Sequence, residues 1–188
     1  MPLWGATDSD ESKPKHLTTA QKKEVFANAS GWVVEAGSTQ SGNGNTSADP
    51  EILVAIGGLA SSIGAADITE IEFITTAFDK SDGGTLQVRV RFNEAVDVSG
   101  TPQLTVVNDT NSNHTLSYAS VTGTNELVFS LTIAAGNAAT DAGDVLSIGT
   151  NAMALNSGTV KDAGTSDNAT ITNSSAIGTA AGTITVSA

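Results

Sequence analysis

Apolar and polar residues alternate along much of the chain after residue 67, with the period of two that is typical of a half-buried β-strand. The clearest run places an apolar side chain at every second position: Leu86, Val88, Val90 and Phe92. Because successive side chains of a strand point to opposite faces, we expect these four to face a core. The interleaved Arg89 and Arg91 are expected on the other face, where they could form salt bridges to Glu70 or Glu72.

The same alternation recurs in neighbouring segments. Ile71 and Phe73 share one face of a predicted strand, and Leu116 shares a face of another strand with Tyr118. A return strand offers four more inward positions: Leu127, Phe129, Leu131 and Ile133. Shorter strands are predicted at residues 103–106, 145–148, 153–155 and 183–186. Seven or so strands with frequent turns and no helical pattern, over about 120 residues, predict a mainly β fold with two packed sheets.

A short helix is predicted near the start of the chain. Thr18 and Gln21 match a capping box, in which each side chain satisfies a backbone N–H of the first turn. Three apolar side chains form its stripe: Val25, Phe26 and Ala29. Gly31 is placed to end the helix after about three turns, which is too short to be stable without packing on something else.

A β-hairpin and a linker follow the predicted helix. Its two strands are expected at residues 31–37 and 51–58, with a long polar tip that contains Asn43 and Gly44, a pair favoured in tight reversals. Residues 57–67 are mostly small and are interpreted as a linker. Their apolar content leaves open whether the linker packs on the fold.

The segment before the helix is interpreted as an extended arm. Residues 1–16 have no periodicity and contain two prolines and a run of charges, yet Leu3 and Trp4 are conspicuously apolar for an arm. Two alternatives remain open. The pair could fold back onto its own domain, or it could dock on a neighbouring subunit.

Charge is distributed unevenly along the chain. Its 188 residues include 20 acidic and 8 basic residues, for a formal net charge of −12. Four of the bases lie in the first 23 residues, and from Phe92 to the C-terminus Lys161 is the only one. The chain therefore has a mixed-charge head and an acidic body. Because binding to phosphate groups needs clustered Lys and Arg, we expect no nucleic-acid partner.

Membrane and secretion signals are not evident in the sequence. No run approaches the roughly 20 apolar residues of a membrane span, and there is no cysteine. The first residues lack the basic-then-apolar order of a signal peptide. We therefore expect the protein to stay in the cytoplasm or to leave by a route without a signal, such as the release of virus particles by lysis.

Candidate catalytic and metal-binding residues are few. His16 lies in the arm and His114 in an Asn-rich turn, and nothing resembles the strand-to-helix turn of a nucleophilic serine. Three acid pairs lie in predicted loops: Asp79 with Asp82, Asp141 with Asp144, and Asp162 with Asp167. Loop oxygens can bind calcium, but none of the pairs has EF-hand spacing. We expect solvated turn acids, no metal, no cofactor and no enzymatic activity.

Motifs from Ile68 to Ala188 resemble a known family. The stretch VRVRFNEAVDVSGTPQLTV, then LSYASVTGTNELVFSLTIAAG, DVLSI and MALNSGTVKDAG, is similar to the bacterial immunoglobulin-like repeat of surface adhesins and tailed-phage structural proteins. The resemblance implies an immunoglobulin-like β-sandwich in which Gly100 and Pro102 form a corner and Leu155 is a core plug. The insertion SDNATITNSSAIGTAAG before TITVSA departs from the family and leaves the register of the last strand open.

The opening M-P-L-W-G-x-x-D resembles the starts of virion proteins from phages of marine bacteria. Together the resemblances imply a non-enzymatic virion protein of a tailed phage. A capsid decoration protein is the first expectation, a neck or tail component the second, and a module that binds carbohydrate or cell-surface glycan the alternative from another class. The expected partners are the major capsid protein or other virion proteins, in a homo-oligomer or many-copy lattice.

The expected division of labour has two parts. Residues 1–66, with the arm, short helix and hairpin, would anchor the chain to the particle, and residues 67–188 would form the displayed sandwich. A few well-buried side chains, with Trp among the commonest, contribute most of the binding energy of a typical interface. The predicted particle contacts are therefore Leu3, Trp4, Phe26 and Trp32.

Overall fold

The fold is mainly β, as the alternation predicts. A computed structural model describes residues 13–41, 44–46, 50–119 and 124–188. Strands make up 48% of it and helices 8%. We call residues 1–66 the head and residues 67–188 the body.

The elements follow one another in a simple order. The strands are β1 (Val25–Asn28), β2 (Gly31–Val34), β3 (Glu51–Ala55), β4 (Ile68–Phe73), β5 (Phe78–Asp79), β6 (Gly84–Ser99), β7 (Gln103–Asn108), β8 (His114–Tyr118), β9 (Thr124–Ile133), β10 (Val145–Ala154), β11 (Thr159–Asp162) and β12 (Thr183–Ser187). The helices are α1 (Thr19–Lys23), α2 (Ser175–Ala180) and a 3-10 turn at Leu59–Ser61. Within the described residues the strands are hydrogen-bonded in the order β3-β2-β1-β6-β9-β8-β7-β10-β12-β5, and β4 and β11 also pair with β6.

The predicted helix begins where expected but is shorter. The Thr18 hydroxyl accepts the Gln21 backbone N–H at 3.2 Å and the Gln21 side chain accepts the Thr18 N–H at 2.9 Å, so the capping box is confirmed. The length of three turns is wrong, because α1 ends at Lys23 and the supposed apolar stripe enters strand β1. The Asn28 carboxamide oxygen accepts the N–H groups of Ser30 and Gly31, which turns the chain back into β2.

Gly31 does not end a helix but begins a strand. Its φ is +137°, and a Cβ there would lie 2.0 Å from the Val54 carbonyl oxygen on the neighbouring strand. Only glycine can occupy such a position, because the backbone of β3 lies too close for any side chain. The predicted hairpin itself is confirmed, since β2 and β3 pair antiparallel.

The predicted linker, residues 57–67, packs against the rest of the fold. Leu59, Ile63 and Ala66 are buried, and the first two join a small core. This core of the head contains six buried side chains: Val25, Ala27, Trp32, Val34, Leu59 and Ile63. The head therefore has its own hydrophobic centre.

The core of the body confirms the predicted inward rows. The β6 row of Leu86, Val88, Val90 and Phe92 is buried. In the return strand β9, Leu127 and Phe129 are fully buried. Every strand from β4 to β12 contributes at least one side chain to the same cluster. The alternation thus directs one face of each strand towards a shared core.

Several features of the body differ from expectation. Helix α2 and strands β5 and β11 were not predicted. Leu155, expected as a core plug, is 39% exposed, because β10 ends at Ala154 and the chain then turns towards β11. The last strand pairs antiparallel with β10, with Leu146 opposite Ile184, which answers the question of its register.

Strand β6 connects the head to the body. Its residues 88–92 pair with β4 and its residues 96–99 with β11. Between these two stretches, Glu94 pairs with Ala27 of β1 in a parallel bridge. The head is thus attached at the middle of the longest strand of the body.

Candidate functional site: the charged junction of head and body

The four predicted particle contacts fall into two groups. Leu3 and Trp4 lie outside the described residues. Phe26 and Trp32 are 4% and 0% exposed, and Trp32 belongs to the core of the head. Trp32 is therefore part of what holds the head together, whereas Phe26 is buried outside both hydrophobic cores. A role of the four in particle contact stays a prediction.

The predicted loop acids are not all solvated. Asp144 is 3% exposed and accepts hydrogen bonds from the Asp141 backbone N–H at 2.8 Å, the Asn108 carboxamide at 2.7 Å and the Thr110 hydroxyl. These hydrogen bonds, led by the one from the Asp141 backbone, hold the pKa of Asp144 far below its usual range. Its carboxylate therefore fastens the turn between β7 and β8 to the loop between β9 and β10.

The other acid pairs also serve the turns around them. Asp162 is 1% exposed and accepts the backbone N–H groups of Gly164 and Thr165, and Asp79 accepts those of Ser81 and Asp82. The expectation of solvated acids is thus wrong for Asp162, as it is for Asp144. Among the described residues, no group of three or more metal-ligating side chains comes together.

The two histidines lie in different surroundings. His114 begins β8, is 5% exposed and shares a hydrogen bond of 3.2 Å with the Thr140 hydroxyl. Burial lowers the pKa of its imidazole, although the nearby Asp144 opposes this. His16 is exposed in the segment before α1.

Most ion pairs among the described residues join one group of side chains where the head meets the body. We call it the junction cluster, and its members are Lys23, Glu35, Glu70, Glu72, Arg89, Arg91 and Glu126. Lys23 and Glu35 come from the head. Lys23 is the last residue of α1, and Glu35 directly follows β2. The other five come from β4, β6 and β9 of the body.

Sheet register places the charges of the body side by side. Arg91 lies opposite Glu70 of β4 on one side and opposite Glu126 of β9 on the other. Arg89 lies opposite Glu72. Opposite charges in such cross-strand positions attract one another. The predicted pairing of the arginines with β4 is therefore confirmed, but Glu126 was not foreseen.

Arg91 is the centre of the cluster. Its Nη1 donates to Glu70 Oε2 at 2.9 Å, its Nε donates to Glu126 Oε1 at 2.6 Å, and Glu35 Oε1 lies 3.6 Å from Nε. The side chain is 10% exposed, because the head covers the face that the sequence predicted to be outward. Burial by itself would lower the pKa of Arg91, but the surrounding carboxylates, Glu35 first, raise it. The guanidinium is thus held as a buried cation.

Glu70 is ionised by its partners. Burial opposes its charge, but hydrogen bonds from Lys23 and Arg91 outweigh that effect and lower the pKa of the carboxyl. Lys23 reaches it from α1, so this contact ties the helix of the head to β4 of the body.

Glu35 behaves in the opposite way. Burial, with the neighbouring Glu126 carboxylate, raises its pKa to about 7, although a hydrogen bond from Asn125 and the charge of Arg91 favour the ionised form. The Asn125 Nδ2 donates to Glu35 Oε1 at 2.9 Å, and Asn125 is 2% exposed. Glu35 therefore takes up a proton near neutral pH while it bridges the head to β9.

The charges of the cluster balance only when one carboxyl is protonated. Four carboxyl groups stand against three cations: Glu35, Glu70, Glu72 and Glu126 against Lys23, Arg89 and Arg91. With a proton on Glu35, three negative charges face three positive charges. A pair of carboxyls with different pKa values also occurs in acid–base catalysis. In the junction cluster the side chains of Arg91 and Glu70 are 10% exposed, that of Glu35 is 16% exposed, and both carboxyl groups lie within ion-pair distance of Arg91.

Three side chains at the junction escaped sequence reasoning. Glu35 follows the apolar run of β2, and Asn125 and Glu126 precede the inward row of β9. The polar positions of an alternating strand gave some signal for Glu126. Nothing in the sequence indicated that Asn125 and Glu35, 90 positions apart, would meet.

Comparison with known proteins adds no relative. No family model matches the chain, and no curated protein or solved structure matches it. In the described part of the chain, no helix is long and apolar enough to cross a membrane.

Proposed function

We propose that this chain is a non-enzymatic structural protein of a tailed-phage virion, specifically a capsid decoration protein. In this proposal the body is an immunoglobulin-like β-sandwich displayed on the particle. The order of the F-x-E-x-V-x-V-x-G-T-P-x-L motif and of the later A-L-N-x-G-T ending carries the family assignment. The mainly β body, with one core drawn from every strand between β4 and β12, supports it.

The contrast between head and body supports the division of labour. The head contains four lysines and seven acidic residues, for a formal charge of −3, whereas the body has four bases against thirteen acids, for −9. A strongly acidic surface keeps displayed domains soluble and apart from one another. The head carries less net negative charge, so it has less repulsion to overcome when many copies are placed close together on a particle.

The position of the head in the fold also supports an anchoring role. The head has its own core and is attached to the middle of β6. Its contacts with the body include the junction cluster, which would hold the head in one position on the body. Contact with a virion protein through Leu3 and Trp4 would add apolar side chains of the kind that contribute most at interfaces.

The first test is the copy number of the chain in purified particles of the phage that encodes it. Quantitative mass spectrometry against the major capsid protein is expected to give hundreds of copies per particle. A handful of copies would assign it to the neck or tail instead. Its absence from particles would reject a virion role.

The second test is a deletion that removes the predicted anchors. A chain without residues 1–12 lacks Leu3 and Trp4 but keeps every described element. We expect it to fold, with an unchanged far-UV circular dichroism spectrum, and to lose at least tenfold in binding to particles that lack the natural protein. The double substitution of Leu3 and Trp4 to alanine is the matched control. Full binding by the deleted chain would show that the anchor lies elsewhere.

A further inference from the structure

The connection between head and body is polar at its centre, although each part has an apolar core. The core of the head and the core of the body have no member in common. Between them lie the junction cluster and the Asn125 carboxamide. Interfaces of this polar kind allow two parts of a chain to separate and dock again more readily than a shared apolar core does.

The position of Glu35 makes its proton decisive for docking. From β6 it faces Arg91, and from β9 it faces Glu126 and Asn125. Glu70 and Glu72 of β4 both form ion pairs with Arg91, so they compete with Glu35 for its positive charge. On its own side, Lys23 is engaged with Glu70, and the Glu24 carboxylate accepts the Ser38 hydroxyl while its carbonyl accepts the Glu35 backbone N–H at 3.1 Å.

Among the described residues, a carboxylate at this place has one cation within ion-pair distance, Arg91, which is already paired with Glu70 and Glu126. Arg91 Nε lies 2.6 Å from Glu126 but 3.6 Å from Glu35. An ionised Glu35 therefore adds a fourth negative charge next to Glu126 without adding a positive one. A protonated Glu35 removes this charge and still accepts the hydrogen bond from Asn125.

We propose that the junction of head and body is a proton-controlled latch, closed when Glu35 carries a proton and loosened when it is ionised. Ionisation of Glu35 weakens the contacts of the head with β4, β6 and β9, and the two apolar cores stay intact. This inference goes beyond the proposed virion role and does not depend on it.

The direction with pH follows from linkage. Glu35 has an ordinary pKa of 4.5 when the head is undocked and a pKa of about 7 when it is docked. Because the docked state holds the proton more tightly, docking is strongest below pH 4.5 and weakens as pH rises towards 7. Above pH 7 both states are ionised, and no further change comes from this group. One proton changes the docking equilibrium by up to about tenfold per pH unit within this window.

The test is hydrogen exchange of the full chain, followed by mass spectrometry between pH 5 and 8 and corrected for the intrinsic exchange rate. Peptides that contain Ala27 of β1 or Glu94 of β6, which pair with each other across the junction, are expected to lose at least tenfold in protection relative to peptides from β9 between pH 5 and 7.5. In Glu35→Gln, which keeps the acceptor for Asn125 and cannot ionise, this loss is expected to disappear. Asp82→Asn, which removes an exposed carboxylate from a turn of the body, is the matched control and should behave like the natural chain.

Two results would overturn the latch. One is protection of the peptides that contain Ala27 or Glu94 that stays constant from pH 5 to 7.5 in the natural chain. The other is a loss of protection that persists unchanged in Glu35→Gln. Should this variant fail to fold, carbon NMR of the Glu35 carboxyl in the natural chain decides the matter. A titration midpoint near 7 supports the latch, and a midpoint near 4.5 rejects it.

Discussion

Arg91 shows how one residue can have a different role from the one its strand position suggests. In the alternation of β6 it occupies a polar, outward position, and an arginine there is ordinarily a surface residue. The head covers this position, so its guanidinium is buried against Glu70 and Glu126. A buried charge is tolerated only when its partners remain in place. Arg91 is therefore a structural residue of the junction.

Replacing this arginine tests that role. Arg91→Met keeps much of the aliphatic length but leaves Glu70 and Glu126 without their shared cation, so we expect a loss of about 3–5 kcal/mol in the free energy of unfolding. Arg89→Met is the matched control. Arg89 also contacts two glutamates, but its side chain is 29% exposed, and we expect a loss of no more than about 1 kcal/mol. Urea unfolding at pH 7 measures both, and equal losses would contradict the buried role.

At the scale of elements, the corner between β6 and β7 requires glycine at position 100 for two reasons, and the sequence indicates only the turn. The Gly100 backbone has a φ of +74°, and a Cβ there would lie 2.8 Å from the Gly158 Cα in the turn before β11. The corner is therefore shared by two turns that meet backbone to backbone. The resemblance implied a corner at Gly100 and Pro102, and the structure adds what it is packed against.

A pair of glycine substitutions separates the two requirements. Gly136 also has a positive φ, of +64°, but a Cβ there meets nothing within 4 Å. Gly136→Ala is expected to cost about 1 kcal/mol for its backbone conformation alone. Gly100→Ala should cost at least about 2 kcal/mol, because the turn before β11 must also move. Thermal and urea unfolding measure the loss of free energy of unfolding in each variant. Equal losses would show that the contact between Gly100 and the turn before β11 can relax at little cost.

At the scale of the whole molecule, stability against pH depends on groups that act in opposite directions. Partners lower the pKa of Glu70 and Asp144, so their contribution is present above pH 4.5 and is lost as pH falls below it. The lowered pKa of His114 favours the folded chain as pH rises to 6.5. The raised pKa of Glu35 destabilises the folded chain as pH rises from 4.5 to about 7. The acidic net charge adds repulsion at neutral pH.

Comparison with Glu35→Gln isolates one of these effects, since the others are common to both chains. The free energy of unfolding of the variant should rise relative to the natural chain by about 2–3 kcal/mol between pH 4.5 and 7.5. Above pH 7.5 the difference should be constant. Urea unfolding at half-unit steps of pH measures it, and a flat difference across the whole range would contradict a raised pKa in the folded chain.

Local signals in the sequence determined much of the body and part of the head. The inward rows of β6 and β9, the hairpin of β2 and β3 and the capping box at Thr18 all follow from period-two alternation, turn residues and nearby side-chain hydrogen bonds. Each of these depends on residues close together in the chain. Where local signals compete, as in residues 25–28, the same apolar spacing suits a helix or a strand, and only pairing with β2 and β6 decided for the strand.

Only the tertiary structure decided which outward faces became interior. Arg91 is predicted outward and is buried by the head, and Leu155 is predicted as a core plug and is exposed. The meeting of Glu35 with Asn125 joins positions 90 residues apart, across two elements whose relative placement no local pattern encodes. Alternation states which side chains share a face of a strand. What covers that face depends on long-range packing, and this packing formed the junction cluster.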